Sequence, residues 1–201
     1  ILISIMYANN ETGIIMPVKE IGAIAKKHNV LFFCDATQAV GKIPVDAVND
    51  EIDLLCFSAH KMYGPKGAGV LYVRRKNPRV ELNPLRYGGG HEKGMRSGTL
   101  NVPGIVAIGR ACEICNKEMA TETVRIKRLR DRLLDALLQL DCASLHGTTK
   151  LLLPHVANIS FNFEGSNQLI SKLNKHLAVS SGSACTSASI EPSYVLKALG
   201  I

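Results

Sequence analysis

The first half of the chain alternates short apolar runs with one amphipathic segment. The apolar runs are residues 1–8, 30–37, 53–61 and 67–75. Each has the length and composition of a buried strand. Residues 17–29 carry apolar side chains at positions 18, 21, 24 and 25, the spacing of one helix face, and Pro17 suits a first helical turn. Strands and helices in this order predict an α/β sheet with helices on its faces.

The second half predicts more helix and less sheet. A glycine-rich loop, residues 87–99, precedes a long helical segment over roughly 102–140. Residues 155–165 then alternate like a strand, and 166–176 have helical spacing. A short strand is predicted over 177–183, where the chain enters a polar loop.

Length and chain ends indicate a fragment that contains parts of two domains. The chain has 201 residues, of which 46% are hydrophobic, enough for a packed core. We place a domain boundary near residue 115, which assigns 1–115 to one domain and 116–201 to the next. The chain opens on an apolar run without an initiator methionine and closes on YVLKALGI, which has helical spacing. Both ends are typical of a piece cut from a longer protein.

The positive charge of the chain is concentrated in one helical stretch. The formal net charge is +7, and residues 124–133 (VRIKRLRDRL) carry much of the excess. A solvated helix face is the expected explanation, with an acidic partner or nucleic acid as the alternative. Because no aromatic side chains lie between the basic ones, base stacking is disfavoured, and no direct nucleic-acid partner is expected.

The cysteines favour a reducing compartment. The six cysteines follow no disulfide-framework spacing, and no signal peptide is visible. Cys112 and Cys115 form a single CxxC pair, whereas a zinc site needs four ligands, so no metal site is expected. Cys34 and Cys56 lie in apolar runs and are expected in the core. No apolar run is long enough for a membrane helix, so no membrane association is expected.

Polar side chains follow two of the predicted strands. Asp35 ends the run FFCD, and Lys61 ends the run 53–61 with Ser58 and His60 beside it. The carboxyl ends of parallel strands share one sheet edge, where ligands bind. Lys61 is either a surface lysine in a turn or a Schiff-base lysine, and Asp35 is either a helix N-cap or the partner of a protonated pyridine nitrogen. Together they favour a pyridoxal phosphate (PLP) site, with Ser58 and His60 available to the phosphate.

Five long motifs resemble the cysteine desulfurases. They are MYANNETG, DATQAVGK, SAHKMYGPKG, GGGHEKGMRSGT and SSGSACTSASIEPSYVLKALG. The resemblance covers essentially the whole chain and is strongest to the class that feeds iron–sulfur cluster assembly. It implies the fold of the PLP-dependent, aspartate-aminotransferase-like transferases. In this α/β fold a large domain with a mainly parallel sheet is joined to a smaller α+β C-terminal domain, only part of which is present here.

The resemblance also implies roles around the cofactor ring. Lys61 would hold PLP covalently, Asp35 would pair with the pyridinium nitrogen, and Gln38 would bond the ring oxygen. Asn10 would lie near the hydroxyl side of the ring and the substrate.

Three further roles concern the phosphate and the second subunit. Ser58 and His60 would bind the phosphate. Thr99 would reach the phosphate of the other subunit, which implies a homodimer with shared active sites. His91 and Arg96, in the same glycine-rich loop, are expected to help shape the dimer contact.

Cys185 would be the sulfur-accepting nucleophile. It is the one cysteine in the loop SSGSACTSAS, residues 180–189, whose composition predicts a mobile polar segment. The resemblance implies that Cys185 takes the sulfur of L-cysteine as a persulfide, leaves L-alanine and passes the sulfur to an iron–sulfur scaffold or another acceptor. The expected location is the cytoplasm, or an organelle in a eukaryote.

Two alternatives stay open. The first is selenocysteine lyase or the short-loop desulfurase class, against which the long cysteine loop argues. The second is a non-catalytic binding platform, for which Lys61, Asp35, Gln38 and Cys185 would not be needed. Family members are about twice this length, so the resemblance implies that a phosphate cup, a ring-stacking histidine and a carboxylate-binding arginine are absent. The isolated fragment is therefore expected to be incomplete as an enzyme.

Overall fold

The structure is a computed structural model that describes residues 1–165, 168–180 and 193–201. The described residues form two compact units. The first consists of Ile1–Ala8 and Met16–Val124, and the second of Asn9–Ile15 and Arg125–Ile201. The domain boundary near residue 115 stays a prediction.

A four-stranded sheet lies at the centre of the first unit. Its strands are β1 (Leu2–Met6), β2 (Leu31–Asp35), β3 (Leu54–Ser58) and β4 (Gly69–Val73). Their spatial order follows the sequence; the first three strands are parallel and β4 is antiparallel to β3. All four predicted strands are confirmed, and the mainly parallel sheet confirms the predicted α/β class.

Helix α1 (Val18–Lys27) packs beside β2, as its apolar spacing predicts. Val18, Gly22 and Ala25 form its buried face. Ile24 belongs to the predicted apolar face but is exposed. The close contact of α1 with its surroundings is therefore made at Gly22 and Ala25. Asn29, with φ +53°, follows the helix.

A buried ion pair ties three parts of the first unit together. Arg74 Nε lies 3.1 Å from Asp53 Oδ1, and both side chains are only 9% exposed. Asp53 Oδ2 accepts a hydrogen bond from the Phe32 N–H, and the Arg74 guanidinium donates to the carbonyls of Ala47 and Ile52. Because several of their donors and acceptors are satisfied in this way, part of the desolvation cost of the two charges is offset.

The long helix α2 (Val102–Leu137) confirms the predicted helical segment, and its residues from Arg125 onward belong to the second unit. Among the described residues, that unit also contains β5 (Ala143–Leu145), β6 (Ile159–Phe161), α3 (Leu169–Leu173) and α4 (Tyr194–Ala198). β5 and β6 pair as an antiparallel ribbon.

Two elements of the second unit are shorter than predicted, and one differs. The strand expected over 155–165 covers only three residues, and the helix expected over 166–176 covers only five. Residues 177–180 are irregular instead of extended strand, because no described strand pairs with them. The rest of that predicted strand, 181–183, lies outside the described residues.

The basic run 124–133 is only partly a solvated face. Arg128 and Arg132 are exposed as expected. Arg130 is buried instead, since its guanidinium donates to the carbonyls of Leu152 and Leu153 at 3.2 and 2.6 Å and also bonds Asp131. No helix among the described residues is long and apolar enough to cross a membrane.

Candidate active site

The carboxyl edge of the parallel strands brings Asp35 and the Ser58–Lys61 segment together. Asp35 ends β2 and lies in register with Cys56 of β3, two residues before Ser58. The Ala36 N–H donates to the Cys56 carbonyl at 2.9 Å, which extends the strand pairing just past Asp35. The two candidate groups therefore follow neighbouring strands at one edge, as the sequence predicts.

Asp35 presents an exposed carboxylate in a tight turn. Its Oδ1 accepts a hydrogen bond from the Thr37 N–H at 2.9 Å. Residues 37–42 form turns and not a helix, so the N-cap alternative for Asp35 is wrong. The bond to Thr37 orients the carboxylate while its exposure leaves it accessible to a ligand.

Two cysteines lie beside this carboxylate. Cys34 is fully buried, which confirms its place in the core, and burial first, then the charge of Asp35, raises its pKa to about 12. Cys56 is only partly buried, so its assignment to the core is wrong. Its pKa is raised by burial and then by the Asp35 carboxylate, to which its side chain is hydrogen-bonded.

The lysine lies in a short turn whose backbone is fixed from inside. Ala59 is fully buried, its N–H donates to the Ala68 carbonyl at 3.0 Å, and its carbonyl accepts from the Gly64 N–H at 2.9 Å. The 3₁₀ turn Ala59–Lys61 leaves His60 and Lys61 exposed. Within the described part of the chain, the Lys61 ammonium has no ion-pair or hydrogen-bond partner, so its amine is available.

Ser58 and His60 already contact each other. Ser58 Oγ and His60 Nδ1 lie 3.0 Å apart. A hydroxyl and an imidazole on one side of a turn can both donate to an anion. The pair thus matches the predicted phosphate-binding role, which stays a prediction.

Gln38 shares the turn of Asp35, whereas Thr99 lies elsewhere in the first unit. Gln38 is half-buried in the turn that follows Asp35. Thr99 is exposed at the end of the glycine-rich loop, where the Arg96 guanidinium donates to the carbonyl of Gly98. The structure gives Thr99 no hydrogen bond to Ser58, His60 or Lys61 among the residues it describes.

Asn10 belongs to the second unit, where it is exposed in a turn. Its buried neighbour Asn9 builds that turn: Asn9 Oδ1 accepts from the Glu11 and Thr12 N–H groups, each at 2.9 Å, and from Thr12 Oγ1 at 3.1 Å. Sequence reasoning missed this role of Asn9, and the adjacent asparagines offer no signal that separates them. Cys185 lies outside the described residues.

The side chains at the sheet edge fit PLP by their chemistry. An available amine, a carboxylate, an amide, a hydroxyl and an imidazole are the groups that the aldehyde, pyridine nitrogen, ring oxygen and phosphate of PLP require. Lys61, Asp35, Gln38, Ser58 and His60 supply them from two turns after adjacent strands.

Comparison with known proteins agrees with this site. The chain belongs to the aminotransferase class-V family, whose profile matches residues 1–200. Enzymes of this family depend on PLP, which confirms the predicted cofactor and fold class.

The relatives are cysteine desulfurases by name. The chain is 54% identical over 202 residues to the cysteine desulfurase IscS of Anaeromyxobacter dehalogenans, covering 100% of this chain and 50% of that protein. It is 53% identical over 201 residues to the IscS of Edwardsiella ictaluri, covering 100% and 49%. The crystal structure of DndA from Streptomyces lividans is similar with a TM-score of 0.83 and 38% identity, covering 100% of this chain and 57% of DndA. The chain spans about half the length of the curated relatives it matches.

Proposed function

We propose that this chain is the part of a PLP-dependent cysteine desulfurase that carries the cofactor lysine and the sulfur-accepting thiol. The observation that carries the proposal is the meeting of Lys61, Asp35 and the Ser58–His60 pair at one sheet edge. That edge belongs to a chain that is 54% and 53% identical, over its whole length, to two proteins named cysteine desulfurase.

The residues of the sheet edge bind and orient the cofactor. Bound PLP supplies an electron sink that weakens bonds at the substrate carbons. The Asp35 carboxylate, oriented by the Thr37 N–H, holds a proton at the pyridine nitrogen. Gln38 would bond the ring oxygen, and the role of Asn10 at the hydroxyl side of the ring stays a prediction. Lys61 would hold the cofactor covalently, and its amine would be available to carry protons.

Ser58 and His60 bind the phosphate, and Thr99 reaches the phosphate held by the second subunit of a homodimer. Leu85 and Tyr87, on the segment that leads to Thr99, are strongly exposed. Exposed apolar side chains of this size support an interface on that segment.

Cys185 accepts the sulfur. Its Sγ attacks the sulfur of the bound cysteine, so a sulfur–sulfur bond forms as the carbon–sulfur bond breaks. The electron pair stays with carbon, which is protonated to give alanine, and the persulfide passes its outer sulfur to an iron–sulfur scaffold or another acceptor. The attacking form is the thiolate. We place this reaction in the cytoplasm, or in an organelle of a eukaryote.

The test compares the full-length protein with its Cys185→Ser variant. Alanine and sulfide release from L-cysteine are measured with a reductant present, and bound PLP is followed by its absorbance. The wild type is expected to release both products, and the variant neither while PLP stays bound. Cys142→Ser, at a partly buried cysteine of the second unit, is the matched control and should keep wild-type rates. A PLP-loaded wild type without activity, or full activity in Cys185→Ser, would contradict the proposal.

A further inference from the structure

Two turns of the first unit carry the candidate cofactor groups. The first turn, residues 35–42, carries Asp35 and Gln38, and the second turn, residues 59–64, carries Lys61. The distance between the two sets of groups therefore depends on what holds one turn against the other. Beyond the end of the strands, the structure shows two side-chain contacts that do so.

The first contact is a close approach at Gly41. Gly41 has φ +75°, and a Cβ at this position would lie 2.8 Å from Cys115 Sγ and 3.2 Å from Met62 Cβ. Cys115 Sγ also lies 4.0 Å from the Met62 carbonyl oxygen, to which it donates. A glycine is required here both by its backbone conformation and by the space it leaves. Cys115 of the CxxC pair thus touches both turns from helix α2.

The second contact joins Lys42 to Tyr63. Lys42 Nζ lies 3.6 Å from the centroid of the Tyr63 ring, the geometry of a cation–π interaction. The backbone of Lys42 is itself fixed, because its carbonyl accepts a hydrogen bond from Thr123 Oγ1 at 2.8 Å. Tyr63 has φ +65°, a left-handed conformation that a bulky residue keeps only when its surroundings hold it.

Tyr63 is two residues from Lys61, and the residue is mostly exposed, at 84%. The ring is therefore not fixed by burial within this chain, and the Lys42 ammonium is its defined contact. Rotation of the second turn about its buried Ala59 would move Lys61 relative to Asp35. The Lys42–Tyr63 contact resists that rotation at the turn's outer end.

We infer that Lys42 and Tyr63 are positioning residues, which set the Lys61 amine against Asp35 and Gln38 through their cation–π contact. This inference rests on the proposed PLP site. It assigns a role to two residues outside the set of side chains proposed to bind the cofactor.

The experiment is a double-mutant cycle in the full-length protein. Lys42→Met and Tyr63→Leu each remove the cation–π contact. Combining them in the double variant therefore removes no further contact. PLP affinity is measured without substrate, together with the pH midpoint of the absorbance change of the bound cofactor. Each single variant is expected to weaken PLP binding about two- to fivefold and to move the midpoint, and the double variant should resemble either single one. Lys42→Arg and Tyr63→Phe, which keep a cation over a ring, should restore wild-type values.

A second readout needs no cofactor. Tryptic cleavage after Lys61 or Lys66 in the apoprotein should become about two- to fivefold faster in Lys42→Met and Tyr63→Leu, because the second turn opens more often. Lys66→Met, at an exposed lysine of the same loop, is the matched control and should leave PLP binding and the pH midpoint unchanged.

Three outcomes would overturn the inference. The first is additive effects in the cycle. The second is a lower melting temperature with an unchanged pH midpoint, which indicates a merely structural role. The third is failure of Lys42→Arg to restore the wild type. None depends on desulfurase activity, so a PLP-loaded protein that leaves cysteine untouched would refute the proposed function while the cycle still tests this inference.

Discussion

The Asp35 carboxylate lies beside two cysteine thiols, and their protonation is tied to it. Burial and the nearby negative charge both raise the pKa of Cys34 and of Cys56. Both thiols are therefore neutral near pH 7 and add no negative charge to the site. The carboxylate can then face a pyridinium without competing thiolates, and neither thiol is activated as a nucleophile. This environment differs from the polar, glycine-containing sequence around Cys185.

The raised pKa of Cys34 predicts a loss of stability at alkaline pH. The folded protein holds this proton up to a pKa of about 12, whereas the ordinary pKa of a cysteine thiol is 9.0. The stability that the protonated Cys34 thiol contributes is therefore fully present below pH about 9 and is lost as the pH rises from 9 towards 12. We expect the difference in free energy of unfolding between wild type and Cys34→Ala to shrink by about 1.4 kcal/mol per pH unit above 9. Urea unfolding of both full-length proteins at pH 8, 9, 10 and 10.5 measures it; a pH-independent difference would contradict the assignment.

At the scale of elements, the sequence predicts what is local and misses what depends on tertiary proximity. The strands of the first unit follow from apolar runs bounded by turn residues, and parallel pairing places Asp35 and Lys61 at one edge. The Asp53–Arg74 pair could not be foreseen, since both residues look like surface charges at strand ends. The Lys42–Tyr63 contact could not be foreseen from the sequence for the same reason. The second unit was predicted less well because its strands are only three residues long.

The buried Asp53–Arg74 pair predicts strong coupling between two strand ends. Arg74→Met leaves the Asp53 carboxylate buried without its counter-charge, and we expect a loss of about 3–5 kcal/mol in the free energy of unfolding. Adding Asp53→Asn to that variant should recover part of the loss, because the uncompensated charge is then removed. Lys26→Met is the control, since it breaks an exposed ion pair to Glu51, 67% exposed at the lysine, and should cost less than about 1 kcal/mol. Equal losses of unfolding free energy for Arg74→Met and Lys26→Met in urea unfolding would show that the buried pair stabilises the fold no more than the exposed pair does.

At the scale of the whole molecule, the proposed site depends on more than one copy of the chain. Lys61, Asp35, Ser58 and His60 all belong to the first unit of this chain. The curated relatives are about twice as long, so the remaining half of their length is available for further contacts to the cofactor. The proposed role of Thr99 adds a contribution from a second copy of the chain. Exchange between copies is therefore the decisive test of how the site is built.

Complementation between two inactive variants tests that contribution. In a mixed dimer of Lys61→Ala and Thr99→Ala subunits, one site combines both defects, but the other combines an intact Lys61 with an intact Thr99 from the neighbouring subunit. Random co-assembly makes half of the dimers mixed, each with one working site, so we expect about a quarter of wild-type desulfurase activity when the two variants are co-expressed. Each variant alone should be nearly inactive. If Thr99 acted within its own subunit, both sites of the mixed dimer would be defective and co-expression would restore nothing, because every subunit would then carry one of the two defects in its own site.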